Sequence, residues 1–441
     1  MATTRLEKTF TASNRKTFTI STWIKRSALT VNNCIYSAGT NDSTDRELLV
    51  FLADAGEEDK LYFNAKVSNS TVAQFYTNRR FRDPSAWYHI VLAFDTTQST
   101  DTNRMKLYVN GELQTFQSVT YPNQNRDMNT NNTVHKIGST VGNGQYFNGL
   151  MSYFAFTDGT AYTPTSFGET DSSSGIWKWK SPSVTYGTNG FFLKMDTSSP
   201  GTDTSGNSNT FTASGTPTLT QDNASNNFCT LTPLIRMAIT LNNGNTQVTD
   251  TDSSWYGVGS TMGVSSGKWY WEYKLTRIGN YAQDGVMGGL PGNGYNDIYN
   301  TYVGSKTAGV ALNTGEGKIY SADSSTTWFG SANSQGQIIG VALDLDNNKI
   351  YYSQNGVFGN SSNPATNTNG YALSATIIAN KPLLPCSSIN NCTIDYNFGN
   401  GFFGTTAVAS SNADAAGHGL MEYAVPTGFY TLNTKNLNTY G

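Results

Sequence analysis

Apolar side chains recur at every second position in two early stretches of the chain. Phe18, Ile20, Thr22 and Ile24 alternate with Thr19, Ser21, Trp23 and Lys25, and Tyr88, Ile90, Leu92 and Phe94 alternate with His89, Val91 and Ala93. A period of two sends alternate side chains to opposite faces of an extended strand, so both stretches predict strands of a sandwich. Arg104 to Leu113 adds a hairpin around Asn110-Gly111, a pair that adopts the positive φ values of a type I′ turn at low cost. The second half repeats the logic in different residues. Lys268-Trp-Tyr-Trp-Glu-Tyr-Lys274 predicts a strand, and Ile338 to Gly356, with turns at Asn347-Asn348 and Asn355-Gly356, predicts three consecutive antiparallel strands. Between them, Thr197 to Thr232 is rich in Ser, Thr, Gly and Asn, with Pro200 and Pro217, and reads as an irregular connection.

A chain of 441 residues suits two such domains, each large enough for its own core. The expected fold is all-β, two tandem antiparallel β-sandwiches with little helix, over residues 1–225 and 226–441. The chain has 25 Tyr and 22 Phe against 12 Pro, the balance of a turn-rich antiparallel protein. Charged residues make up only 13%, the formal net charge is −3, and Lys and Arg are scattered singly. Such a surface has no basic stripe to neutralise phosphates, so neither nucleic acid nor an anionic membrane is an expected partner. The start, Met1 to Arg5, has no charged segment followed by an apolar run, and no apolar stretch approaches the roughly 18 residues that span a bilayer. Synthesis in the cytoplasm without a signal peptide is the expectation. Cys34, Cys229, Cys386 and Cys392 have no metal-ligand spacing, and only the last two are close enough to suggest a local pairing.

Four ordered segments carry a resemblance. Phe18-Thr-Ile-Ser-Thr-Trp-Ile24, Trp87-Tyr-His-Ile-Val-Leu-Ala93, Leu107-Tyr-Val-Asn-Gly111 and His135-Lys-Ile-Gly138, followed by Phe147 to Tyr153, resemble the strands of laminin-G-like, concanavalin-A-type jelly rolls. The element that opens such domains stands here after the rest, as Phe191-Phe-Leu-Lys-Met195 and Asp203-Thr-Ser-Gly-Asn-Ser-Asn209. The resemblance therefore implies a permuted jelly roll closed by residues 190–213. Gly267-Lys-Trp-Tyr-Trp-Glu272, Gly340 to Asp346, Tyr396-Asn-Phe-Gly399 and Pro426-Thr-Gly-Phe429 resemble a SPRY domain over roughly residues 235–437, with an Ala/Ser/Gly-rich insertion around 404–422. The two modules in this order, with Phe167-Gly-Glu169 after the first, are similar to virion proteins of marine bacteriophages.

No catalytic set accompanies these folds. A laminarinase-type hydrolase would place Glu-x-Asp-x-Glu on one strand, sharing a face as nucleophile and acid, and that motif is absent. Glu169-Thr-Asp171 and Glu57-Glu58-Asp59 read as solvated loop charges. His89, His135 and His418 offer no triad or metal partner set at convincing positions, and His89 and His135 stand on strands, where structural histidines are expected. Ser321 to Trp328 resembles a sialidase Asp-box turn, a structural motif even there. Calcium is a weak expectation, with Asp42, Asp45 and Asp54 as oxygen donors. Gly279 to Gly304 is the better lead: it reads as a long polar loop carrying Tyr281, Tyr295, Asp297, Tyr299 and Tyr302, and tyrosines there suit sugar faces or protein surfaces.

The reading is a non-enzymatic phage virion protein, a tail fibre or capsid-decorating adhesin. Its first sandwich is expected to contact host-surface glycan and its second neighbouring virion proteins, in many copies on a symmetric particle. The alternatives are a purely structural virion protein and, well behind it, a glycan hydrolase.

Overall fold

The computed structural model describes residues 3–128, 133–236, 238–289 and 301–441. Strands hold 47% of the chain and helices 6%. The chain divides into two compact units, one of Met1–Leu219 with Asn223–Ser225, the other of Thr220–Asp222 with Asn226–Gly441.

The first unit is a sandwich of two antiparallel sheets. Eight strands form one, in the order Phe116–Thr120, Ser70–Arg80, Lys60–Val67, Asp45–Phe51, Asn33–Asn41, Val134–Ile137, Arg5–Thr9 and Thr212–Ser214. Six form the other, in the order Phe191–Leu193, Gly149–Asp158, Thr17–Arg26, Tyr88–Asp95, Met105–Val109 and Glu112–Leu113. Phe18, Ile20, Ile24, Ile90, Leu92 and Phe94 meet Leu49, Phe51, Leu61, Phe63 and Phe75 in the core between the sheets. Asn110 and Gly111 take φ values of 50° and 85° in the hairpin turn. Residues 190–213 close the sandwich. Phe191–Leu193 pairs with Phe154–Phe156 at the edge of the six-stranded sheet, and Thr212–Ser214 pairs with Arg5–Glu7 at the edge of the eight-stranded one. Asp203 holds the turn between them, accepting the backbone N–H groups of Phe192, Ser205 and Asn209.

Period-two reading misses one layer. Trp23, His89, Val91 and Ala155 face away from the core yet are buried, because residues from Tyr162 to Phe192 lie across that face. Val91 and Ala155 pack with Phe167 and Phe192, joined by Tyr108, Tyr153, Tyr162, Val184 and Tyr186. The outer face of the six-stranded sheet is thus covered. A second correction concerns Asp59: far from a solvated turn charge, it is 1% exposed and paired with the equally buried Arg26 at 3.0 Å.

The second unit is built on two long strands, Lys268–Gly288 and Leu383–Asn397, paired antiparallel along most of their length. Ile338–Asp344, Lys349–Gln354 and Val357–Phe358 follow one another as the three expected strands. Trp269, Trp271, Tyr273, Val341, Leu343 and Tyr396 fill the core. Cys386 and Cys392 are free and buried on one strand. Six residues at about 3.3 Å each set them about 20 Å apart, which corrects the suggested pairing.

Two buried carboxylates hold the segment 404–422. Asp414 accepts from the backbone N–H of Ala416, His418 and Thr431, from the Thr431 hydroxyl and from the Asn436 amide. It ties the segment to the last strand, Tyr430–Thr431, which runs parallel to Trp269–Tyr270. Glu272 accepts the backbone N–H groups of Glu422 and Tyr423, each at 2.8 Å, and the Tyr270 hydroxyl. Burial pushes its carboxyl up to about 7, opposed in part by those three donors.

The folded state therefore holds a proton on Glu272 that the unfolded chain releases near its ordinary value. Stability from this group is fully present below about pH 4.5 and is lost as pH rises through 7, by roughly 3 kcal/mol across the window. Calorimetric unfolding of the second unit should show its melting temperature falling between pH 5 and pH 8. Glu272→Gln should flatten that fall, and an unchanged slope in the variant would assign the effect to other groups.

Candidate functional site

The second unit carries an aromatic cluster assembled from four separate segments. Trp255 immediately precedes the strand Tyr256–Ser260, whose Tyr256 sits opposite Ile389; Tyr281 pairs with Asn390 from the other side of the same long strand. Their rings lie 6.5 Å apart at 15°. Tyr302 leads into the short turn Val303–Ser305 and meets Trp255 at 5.4 Å and 53°. Tyr320 stands edge-on to Tyr302 at 6.4 Å, near the end of the strand Lys318–Ser321. All four rings are partly open to solvent, and Tyr281 is 46% exposed.

Two carboxylates orient the phenols. The Tyr302 hydroxyl donates to Asp323 Oδ1 at 2.7 Å, and that acceptor pushes the phenol up to about 12. The Tyr320 hydroxyl donates to Glu316 Oε2 at 2.8 Å, which raises Tyr320 in the same way, and Glu316 also pairs with Lys318 at 3.2 Å. Bare backbone at Gly315 makes room for Tyr281, since a Cβ there would lie 2.1 Å from its ring. With the Tyr302 and Tyr320 hydroxyls engaged, the cluster presents ring faces, rigid and amphipathic, to a partner. Such rings are enriched at the energetic centres of protein interfaces.

Of the tyrosines expected from sequence, Tyr281 and Tyr302 thus belong to one cluster. Tyr295, Asp297 and Tyr299 lie outside the described residues. The expectation of one loop from Gly279 to Gly304 is corrected in its first part, because the strand continues through Gly288. Sequence reasoning missed Trp255, Tyr320 and Glu316, which lie outside that stretch. The Asp-box-like segment forms a tight hairpin with Ala322 and Asp323 at positive φ, and its Asp323 is the acceptor for Tyr302.

The histidines and calcium candidates occupy other environments. His89 lies between Trp23 and Trp177, with ring centroids at 4.7 and 6.0 Å; its Nδ1 accepts from Trp177 Nε1 and its Nε2 bonds Ser21 Oγ. Burial lowers it to about 3, so the ring is neutral and the accepting Nδ1 leaves the proton on Nε2. The Tyr36 hydroxyl meets His135 Nδ1 at 3.1 Å inside the sandwich. His418 lies on the turn closed by Asp414. Asp42 accepts from Thr140 and Gly142, Asp45 from the Ser68 N–H, and Asp54 is exposed. Among the described residues, no three carboxylate, histidine or cysteine side chains gather as a metal site requires. Asp171 accepts the Ser173 hydroxyl, Lys178 and the Ser174 and Ser173 N–H groups, which hold its carboxyl well below the usual range.

The geometry defines a protein of two antiparallel β-sandwiches. Residues 3–165 match the Laminin_G_3 family, described as the concanavalin A-like lectin/glucanases superfamily, and residues 268–401 match the SPRY domain. Both domains are present in the chain. Similar solved structures include the SPRY domain of human HERC1, at 17% identity over 38% of this chain and 96% of that one, with a TM-score of 0.30. Another human SPRY domain is 12% identical over 36% and 95% of the two chains, with a TM-score of 0.28. A protein from Bacteroides ovatus ATCC 8483, named for carbohydrate binding, is 19% identical over 48% of this chain and 56% of its own, with a TM-score of 0.33. No curated protein matches.

Proposed function

We propose that the chain is an adhesin of a bacteriophage virion, a tail-fibre or capsid-decorating protein. On this reading its lectin-type sandwich binds host-surface glycan and its SPRY sandwich holds a neighbouring virion protein. One observation carries the proposal: a lectin-type domain shares the chain with a SPRY domain that presents a preorganised, solvent-facing aromatic cluster at Trp255, Tyr281, Tyr302 and Tyr320. The resemblance of the module order to marine phage virion proteins supports a location on a particle. A shallow sugar site of this type binds near millimolar, about −4 kcal/mol, which does not hold a particle on a cell. Display in many copies raises avidity by about 10²–10⁴-fold, so attachment belongs to the array.

The test is made on particles. Virions carrying Trp255→Ala with Tyr281→Ala should incorporate fewer copies of the protein, and particles lacking it should adsorb to host cells more slowly. Normal incorporation of the double variant would remove the cluster from the protein interface. Unchanged adsorption of particles lacking the protein would favour a purely structural part.

A further inference from the structure

The outward face of the eight-stranded sheet in the first unit carries a second arrangement, unlike the aromatic cluster. Asp45–Phe51, Lys60–Val67 and Ser70–Arg80 are adjacent strands, and their register sets side chains in rows. Tyr62 stands opposite Tyr76, Asn64 opposite Gln74, and Arg46 opposite Lys66. The intervening Leu49, Phe51, Leu61, Phe63, Ala73 and Phe75 point into the core, so these rows point away from it. Tyr62 and Tyr76 lie with ring centroids 4.5 Å apart over an apolar floor of Cys34, Leu48, Val50 and Leu52. Tyr62, Tyr76, Gln74, Arg46 and Lys66 are half-exposed, while Asn64 is covered.

Hydrogen bonding orders the polar rows. Arg46 Nε and Nη2 donate to Asn64 Oδ1 at 3.3 and 3.1 Å. A guanidinium has no acceptor, so it fixes which end of the Asn64 amide faces it. Asn64 Nδ2 then donates to Gln74 Oε1 at 3.3 Å, and the Tyr62 hydroxyl donates to the same oxygen at 3.2 Å. The amide acceptors are therefore occupied within the ladder. Gln74 Nε2 and Arg46 Nη1 remain as donors at the surface, while the Lys66 ammonium is bound to the Ser43 carbonyl. Nearby acids are turned elsewhere: Asp42 to Thr140 and Gly142, and Asp45 to the Ser68 backbone. Asp54 is the free acid, and its charge acts at Tyr62, on the tyrosine side of the face.

A surface of aromatic rings, amide donors and the Arg46 guanidinium matches a sugar that brings acceptors and negative charge. We infer that this face binds an acidic glycan, a uronate or sulfate-bearing sugar, with a ring against Tyr62 and Tyr76 and the acid group at Arg46 and Gln74 Nε2. The inference rests on the reading that the first sandwich is the glycan-binding one and names its residues and ligand class. Arg46 acts by charge-assisted bonds that the neutral donors do not supply, and Asn64 is a positioning residue.

The experiment displays the full chain densely on beads and measures retention on polygalacturonate, dextran sulfate and neutral dextran at low salt. Retention of the acidic polymers should exceed that of dextran at least about tenfold, the ratio that one charge-assisted bond supplies. Arg46→Ala and Tyr76→Ala should each remove most of it, with melting temperatures near that of the parent chain. Lys178→Ala, a cation on the covered side of the other sheet, should leave it unchanged. The two acidic polymers separate carboxylate from sulfate recognition. Equal retention of dextran, or retention indifferent to Arg46 and Tyr76, overturns the inference while leaving glycan binding standing. No retention of any polymer by folded protein overturns both.

Discussion

A fragment ending at residue 180 should fail to form the first sandwich. It would lack Phe191, Phe192, Leu193 and Phe211, each no more than 5% exposed in the intact chain. Fully burying such side chains contributes about 1.5–3 kcal/mol each, so the fragment forgoes roughly 6–12 kcal/mol, as much as a whole domain's usual net stability. The loss is also topological. Without Phe191–Leu193 the strand Gly149–Asp158 becomes an open edge of the six-stranded sheet, and without Thr212–Ser214 the strand Arg5–Thr9 becomes one in the other. Two uncovered edges invite pairing between chains. Size-exclusion chromatography should find the fragment aggregated, and near-ultraviolet circular dichroism should find its aromatic signal lost. Extending it to residue 219 should restore both. A soluble, cooperatively melting 1–180 fragment would show that the closing segment is an addition and not part of the sandwich.

That closing segment was legible because Phe191-Phe-Leu193 and the Asp203 turn keep recognisable local chemistry wherever they stand in the chain. The strands were legible for a similar reason: Phe18, Ile20 and Ile24 mark a buried face by their spacing alone, and Asn110-Gly111 marks a turn by its backbone preference. Period-two spacing reports one buried face, however. Trp23 and His89 look like the exposed side of their strands and are buried only because residues from Tyr162 onward return across them. The aromatic cluster was legible in the same partial way. Tyr281 and Tyr302 stand out as aromatic residues in polar sequence, whereas Trp255 and Tyr320 join them through strand pairing that no local window contains. The Arg46, Asn64 and Gln74 ladder depends on the register of three strands, and each of its members alone is an ordinary surface residue.

Asp59 shows what composition conceals, and its removal should cost the first unit about 3–5 kcal/mol. The Asp59 carboxylate meets Arg26 Nη1 at 3.0 Å and Arg82 Nε at 3.1 Å and accepts the Thr30 N–H at 2.8 Å. Arg26 is wholly buried. Its guanidinium lies 4.3 Å over the Phe51 ring and gives a further bond to the Phe81 carbonyl, while Nε and Nη2 have no hydrogen-bond partner. Burial already lowers Arg26 against the opposing pull of Asp59. Asp59→Ala therefore leaves a cation in the core with its principal counter-charge gone. Arg26→Met is milder, since a flexible apolar side chain fills the space beside Phe51 and Asp59 keeps Arg82 and the Thr30 N–H. Adding Arg26→Met to Asp59→Ala should recover part of the loss, because the second change removes the stranded charge that the first creates. Calorimetry on the full chain, following the transition of the first unit, should rank the variants with Asp59→Ala lowest, the double variant above it and Arg26→Met highest. A double variant as unstable as the sum of the two singles would show that the ion pair is not what couples them, and a loss below about 1 kcal/mol for Asp59→Ala would place the carboxylate in effective contact with water.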